Sequence, residues 1–224
     1  MIYKKLFTLI CLFNISFSYC QNSFLDYSDT INKPRVIGVS CGQASFIGLS
    51  SIGLYSLWYS KESKSKFHFF NDWNNWSNMD KAGHIYSAYQ FSKTSSNWFS
   101  WAGLDRKKSI LIGSSIGLGF QTIIELMDGY SSKWGFSISD MSSNIIGSSL
   151  FAGQELLFDK QILLPKFSYH NTPYSDLRPE VLGSNQIEKI LKDYNGQTYW
   201  ISFSPKSFIN NLSIPDWLCI SIGY

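Results

Sequence analysis

Six residues of this chain could do chemistry together: Asp80, His84, Glu125, Asp128, Asp140 and Asn144. They sit in three short polar runs, MDKAGH at 79–84, IELMDG at 124–129 and SDMSSNIIG at 139–147, each set in apolar sequence rich in glycine and serine. Asp80 and His84 are spaced i,i+4, Glu125 and Asp128 i,i+3, and Asp140 and Asn144 i,i+4. On helices each pair therefore lies on one face. Carboxylates, an imidazole and an amide converging from rigid helices are what a divalent metal site, or an acid–base pair in a bundle, requires. Glu125 is the only charge between Lys108 and Asp128. An ionisable group in such a run is costly unless it is partnered.

A structural reading of the same residues competes with the chemical one. SNMD at 77–80 and SISD at 137–140 have the S-x-x-D form of a capping box, in which Asp80 and Asp140 would satisfy the first amides of their helices. Asp128-Gly129 reads as a helix end with Gly129 in a left-handed cap. His84, Glu125 and Asn144 would then form a buried hydrogen-bond network that fixes helix register. The chain has no HExxH or CxxC spacing, no G-x-S-x-G elbow and no phosphate-cradling glycine loop. His68 and His170 lie in polar, aromatic stretches and read as surface residues.

To position the polar runs the chain needs helices at about 36–59, 79–94, 109–128 and 138–158. The expected architecture is mainly α, a four-helix bundle with a small C-terminal β-hairpin region. Residues 1–20 read as a signal peptide, with Lys4 and Lys5 before an apolar stretch and a cut ahead of Gln21; lipidation of Cys20 is the alternative. Residues 21–35 read as a polar tether, 36–165 as the helical bundle and 166–224 as a C-terminal loop and β-hairpin appendage. The stretch 36–59 carries no charge and is long enough to cross a bilayer, so it is either a span or a buried core helix. Gly113 and Gly117, four apart, suit close helix packing. NWFSWAGLDRKK at 97–108 reads as a connector, and Asn195-Gly196 as a hairpin turn. Cys41 and Cys219 read as small buried residues or a disulfide pair.

Charged residues make up only 16% of the 224 and aromatics 17%, with eight tryptophans and thirteen tyrosines. A usual charged share is about 25%. The balance suits a protein that touches lipid, and nothing in it resembles a nucleic-acid footprint. Trp73 and Trp76 suit a membrane surface.

NDWNNWSNMDKAGHIYSAY, IELMDGYSSKWGFSISDMSSNIIGSSLFAGQELL and KDYNGQTYWISF resemble the predicted periplasmic lipoprotein family of unknown function typified by YfiM, domain of unknown function 2279, in its Bacteroidetes form. The likeness covers roughly residues 70–224. A fainter similarity is to VanZ-like membrane proteins, whose order Asp-Lys-x-x-His, Glu, Asp-x-x-x-Asn-x-x-Gly falls on Asp80, Lys81, His84, Glu125, Asp140, Asn144 and Gly147. These resemblances imply an envelope location and a four-helix arrangement. They imply no activity. The first also implies a chain that continues past Gly223-Tyr224.

Three functions follow as expectations. The first is an exported cell-envelope protein, periplasmic or outer-membrane-associated, structural or binding rather than catalytic, with membrane lipid and an envelope protein as partners. The second is a polytopic inner-membrane protein of the VanZ type, in which KESKSK at 61–66 and DRKK at 105–108 would share the cytoplasmic side. The third is a metal-dependent envelope hydrolase acting on lipid or peptidoglycan through the polar cluster.

Overall fold

A computed structural model describes residues 24–60, 62–209, 213–215 and 217–224; the expected signal peptide and Cys20 lie outside them. Helix α1 runs Lys33–Leu54 and continues as a π-helical turn, Tyr55–Tyr59. Then come α2 (Met79–Trp101), α3 (Arg106–Gly129) and α4 (Ile138–Phe158). Strand β1 (Leu164–Tyr169) follows, then three short helices, α5 (Tyr174–Leu177), α6 (Pro179–Leu182) and α7 (Gln186–Lys192). Strands β2 (Gln197–Phe203) and β3 (Ile220–Gly223) complete a three-stranded antiparallel sheet of order β1-β2-β3. The chain is mainly α with four long helices and a small C-terminal sheet, as expected.

The helix ends differ from expectation where a cap decides them. α1 starts at Lys33 because Asn32 accepts from the Arg35 amide and Pro34 sits in the first turn. The tether is therefore partly helix. Asp105 caps α3 by accepting from the Lys108 amide, so DRKK belongs to the helix start. α2 runs through NWFSW to Trp101, and the chain turns only at Gly103, with φ 88°.

Small residues set the spacing of α2, α3 and α4. A Cβ on Gly113 would come within 2.4 Å of the Ser96 nitrogen, one on Gly117 within 2.3 Å of Ser92 Oγ, and one on Gly147 within 2.2 Å of the Ile85 carbonyl oxygen. The three backbones pack as closely as glycine allows. What they enclose is largely polar: Ser92, Ser96, Ser109, Gln121, Glu125, Asn144 and Ser148 are buried. What they expose is apolar: Leu111, Ile123 and Leu126 on α3, and Ile145, Ile146, Leu156 and Leu157 on α4.

α1 lies against this trio along one edge. Val39 packs on Phe99 and Ala102, and Phe46 meets Phe91 at 5.9 Å. Only Val39 and Tyr59 are buried in it, so α1 is not a core helix. Its start bonds to the end of α2 through the Asn32 amide and the Ala102 carbonyl, and the chain just after it pairs Lys64 with Ser131, beyond α3. The segment after α1 and the basic start of α3 thus lie at opposite ends of the bundle. This removes the shared cytoplasmic side that the charge runs suggested, because α2 returns the chain between them.

The Asn195-Gly196 hairpin is also corrected. These residues form a 3-10 turn, Tyr194–Gly196, that follows α7, and β2 pairs instead with β1. Asp193 shapes the turn: its carboxylate accepts from the Asn195 amide and from Thr172 Oγ. The sheet lies on α2, with Tyr86 against Phe167 and Tyr199, and Gln90 Nε2 donating to the Pro165 carbonyl. Cys41 and Cys219 are exposed and unpaired rather than buried or bridged.

Candidate functional site

The first turn of α2, the last turns of α3 and the first turns of α4 meet at one end of the bundle. Residues 76–78 lead into α2 through three consecutive left-handed positions, Trp76 (φ 54°), Ser77 (φ 50°) and Asn78 (φ 60°). Such a run is costly for residues with a Cβ and persists only where the surroundings impose it. Here Trp76 packs on Tyr194 at 5.8 Å, and Tyr224 Oη donates to the Ser77 carbonyl at 2.5 Å. The turn aims Asp80, Lys81 and His84 inward.

Lys81 is the centre of the ionic part. Its ammonium lies 2.7 Å from Asp72 Oδ2, 2.6 Å from Asp140 Oδ1 and 3.2 Å from Asp80 Oδ2. His84 is the centre of the rest. Its Nδ1 is 3.0 Å from Asn144 Oδ1, an acceptor that fixes the N–H on that nitrogen. Its Nε2 faces Asp80 Oδ1 at 3.7 Å, Glu125 Oε1 at 3.7 Å and Asp140 Oδ2 at 3.9 Å. Asp80 and Asp140 thus each divide their two oxygens, one towards Lys81 and one towards His84, while Asp72 gives its second oxygen to Ser137 and Ser139.

Both expected capping boxes are half right or absent. Ser137 does cap α4, accepting from the Asp140 amide at 3.0 Å. The Asp140 carboxylate does not return the bond; the Ser137 amide donates to Glu125 Oε2 at 3.2 Å instead. Ahead of α2 no side chain caps the helix at all, and Asp80 turns to Lys81 and to Tyr194 Oη, 3.0 Å away. Gly129 is not left-handed. A Cβ there would come within 2.4 Å of the Phe67 ring, which would have to shift.

Of the six expected residues the structure joins five: Asp80, His84, Glu125, Asp140 and Asn144. Asp128 stands apart, taking a 2.7 Å hydrogen bond from Tyr59 Oη that ties the end of α1 to the end of α3. Asp72 and Tyr194 belong to the site but were not expected in it, and Lys81, named in the VanZ-like order, was left out of the six. Lys81 sits beside Asp80, and its sequence signal was a lysine at the start of an otherwise buried face. Asp72 lies in a loop, held by Ser137 Oγ at 2.6 Å and Ser139 Oγ at 2.7 Å, and loop residues carry no periodicity that could reveal it. His68 is half-buried rather than on the surface, with Nε2 2.9 Å from the Trp134 carbonyl, while His170 is exposed.

The charges do not cancel. Asp72, Asp80, Glu125 and Asp140 are four acidic groups against Lys81 and His84. Burial pushes Glu125 up to about 8, with Asp140 adding to the shift against the opposing pull of His84. Burial likewise raises Asp140. For His84 burial alone would lower the value, but Asp80, Asp140 and Glu125 outweigh it and hold the imidazole above its ordinary range. Burial would raise Asp72, yet its bonds from Lys81, Ser137 and Ser139 hold it below the usual carboxylate range. The arrangement can keep a positive charge at His84 Nε2, whether that charge is a proton or a cation among the same oxygens.

With this geometry in hand, the comparisons with known proteins are specific in one place. Residues 68–154 match the family model of a predicted periplasmic lipoprotein, DUF2279. No curated protein and no solved structure matches the chain. The DUF2279 segment contains Asp72, Asp80, Lys81, His84, Glu125, Asp140 and Asn144, the whole cluster, and Asp128 beside it. Tyr59 and Tyr194, which brace it, come from outside that segment. The match supports an uncharacterised protein of the cell envelope and periplasm.

Proposed function

We propose that this is an exported envelope protein anchored in a membrane, with α1 crossing the bilayer, the outer faces of α3 and α4 against lipid, and a role in binding rather than catalysis. The observation that carries the reading is the inverted distribution of side chains, polar within α2–α4 and apolar outside. Soluble monomers rarely expose apolar patches of more than a few hundred Å². Between Ser109 and Ile124 on α3, and between Met141 and Gln154 on α4, no residue is charged. α1 is apolar and 27 residues long with its π-helical turn, enough to cross a bilayer. The sheet argues for α3 and α4 lying at the interface rather than crossing. It packs on α2 through Phe167 and Tyr199 and leaves the β3 edge open, and open edges are not tolerated in hydrocarbon.

Burial favours binding over turnover of a large substrate. The Glu125 side chain is 1% exposed and that of His84 14%, so a small species suits the cluster better than a glycan or a lipid. The exposed β3 edge offers a place for an envelope protein partner to add a strand.

Native cysteines test the anchor. The purified full chain, reconstituted in lipid vesicles and then fragmented to open both faces, is treated with a membrane-impermeant maleimide, and each site is read by peptide mass spectrometry. Cys219 is expected to label and Cys41, on the exposed face of α1, to be protected until detergent is added. Equal labelling of Cys41 and Cys219 in vesicles would overturn the reading.

A further inference from the structure

The geometry points to a divalent transition-metal site formed by His84 Nε2, Asp80 Oδ1, Asp140 Oδ2 and Glu125 Oε1. This stands independently of how the bundle meets lipid.

Three observations carry it. The first is convergence: one ligand atom each from Asp80, His84 and Asp140 lie within 4.8 Å of one another, and Glu125 Oε1 is 3.7 Å from His84 Nε2. Bonds of about 2.0–2.1 Å at tetrahedral angles place neighbouring ligand atoms roughly 3.4 Å apart. Separations of 3.7–3.9 Å between His84 Nε2 and the three carboxylates need to close by a few tenths of an ångström; the ligand atoms of Asp80, His84 and Asp140 lie up to 4.8 Å apart and Glu125 approaches from the His84 side, so the carboxylates must also draw together on the ion.

The second is an unfilled bonding demand aimed at the same point. Glu125 is fully buried, and its Oε1 has no hydrogen-bond partner while it faces His84 Nε2. A buried carboxylate oxygen without a donor is costly. A metal ion would satisfy it together with the lone pair of Nε2.

The third is an outer layer of the kind that orients metal ligands. Asn144 Oδ1 holds the N–H of His84 on Nδ1, leaving Nε2 as the ligating atom. Lys81 takes Asp140 Oδ1 and Asp80 Oδ2, and Tyr194 Oη donates to Asp80 Oδ1. The Ser137 amide fixes Glu125 Oε2. Every ligand is held by a second group, from a different element except where Lys81 neighbours Asp80.

One imidazole with three carboxylates is a nitrogen–oxygen set suited to zinc or manganese; magnesium prefers all-oxygen ligation and keeps its waters. A 2+ ion would also offset the excess of carboxylates over cations.

The test uses the full chain in detergent, stripped with chelator, dialysed against Zn²⁺ or Mn²⁺ with excess Mg²⁺, and assayed by plasma mass spectrometry. The wild type is expected to retain one ion per chain. His84→Ala is expected to lose it. Asp80→Asn, which keeps an acceptor for Tyr194, should weaken affinity by about 10-fold or more with an unchanged circular dichroism spectrum. Co²⁺ loading gives a second readout, a visible d–d band that His84→Ala should lose and Asp80→Asn should shift to about 10-fold higher Co²⁺ concentration. An ion-free wild type, or binding unaltered in both variants, would overturn the site. So would a folded wild type whose only change at the cluster is protonation of His84, seen by nuclear magnetic resonance without any response to Zn²⁺ or Mn²⁺.

Discussion

Two stretches of the same three helices are built on different principles. Where Gly113 and Gly117 of α3 face Ser96 and Ser92 of α2, the seam is neutral, and Ser92 donates to Ser148 of α4 at 3.1 Å. About two helical turns further along α2, Lys81, His84, Glu125 and Asp140 meet across the same interfaces. The neutral seam is held by close backbone approach. The charged end is held by a lysine that binds three aspartates, and it gathers more acidic groups than basic ones. The contrast separates scaffold from site: the seam fixes where the helices lie, and that fixed position forces the carboxylates together.

The sharpest way to break the comparison is to remove the one ammonium. Lys81→Met leaves Asp72, Asp80 and Asp140 without their shared partner, and deleting one member of a buried ion pair costs about 3–5 kcal/mol. Unfolding by denaturant in detergent should show that loss. A change under about 1 kcal/mol would mean that the aspartates are held by other groups. At the seam, Gly147→Val drives a branched side chain into the Ile85 carbonyl, 2.2 Å from the first added carbon. Overpacking against backbone costs about 3 kcal/mol, and the loss should appear in stability without altering ion binding per folded chain. Ser92→Ala is the mildest. It removes one buried hydroxyl bond, worth about 1 kcal/mol, and the same unfolding measurement should place it below the other two.

The sequence was most informative where a periodic helix carries the signal. Asp80/His84, Glu125 and Asp140/Asn144 were legible because helical spacing puts each set on one face, and helix packing then does the rest. Lys81 was harder to place, since a lysine at a helix start ordinarily reaches solvent, and only tertiary packing shows it enclosed. Asp72 depended on a loop that returns to Ser137 and Ser139, a contact across 65 and 67 residues that no local pattern encodes. Asp128 shared a face with Glu125 yet went to Tyr59, because α1 had a hydroxyl waiting beside it. The Asn195-Gly196 turn misled for a related reason. Its dipeptide is a strong hairpin signal, but the partner of β2 lies before the intervening helices, and Asp193 takes the turn for itself.

The account rests on α3 and α4 turning an apolar face to lipid while enclosing a polar interior. Oxygen and nickel-chelate accessibility of single spin labels tests this directly, with labels placed at Ile123, Ile145 and Leu157 and a control at Lys133, in lipid nanodiscs. The account predicts that the three helix labels are relaxed more by oxygen than by the aqueous chelate, and that the Lys133 label shows the reverse. Equal chelate accessibility at all four positions would contradict it and make the exposed faces a surface for protein rather than lipid.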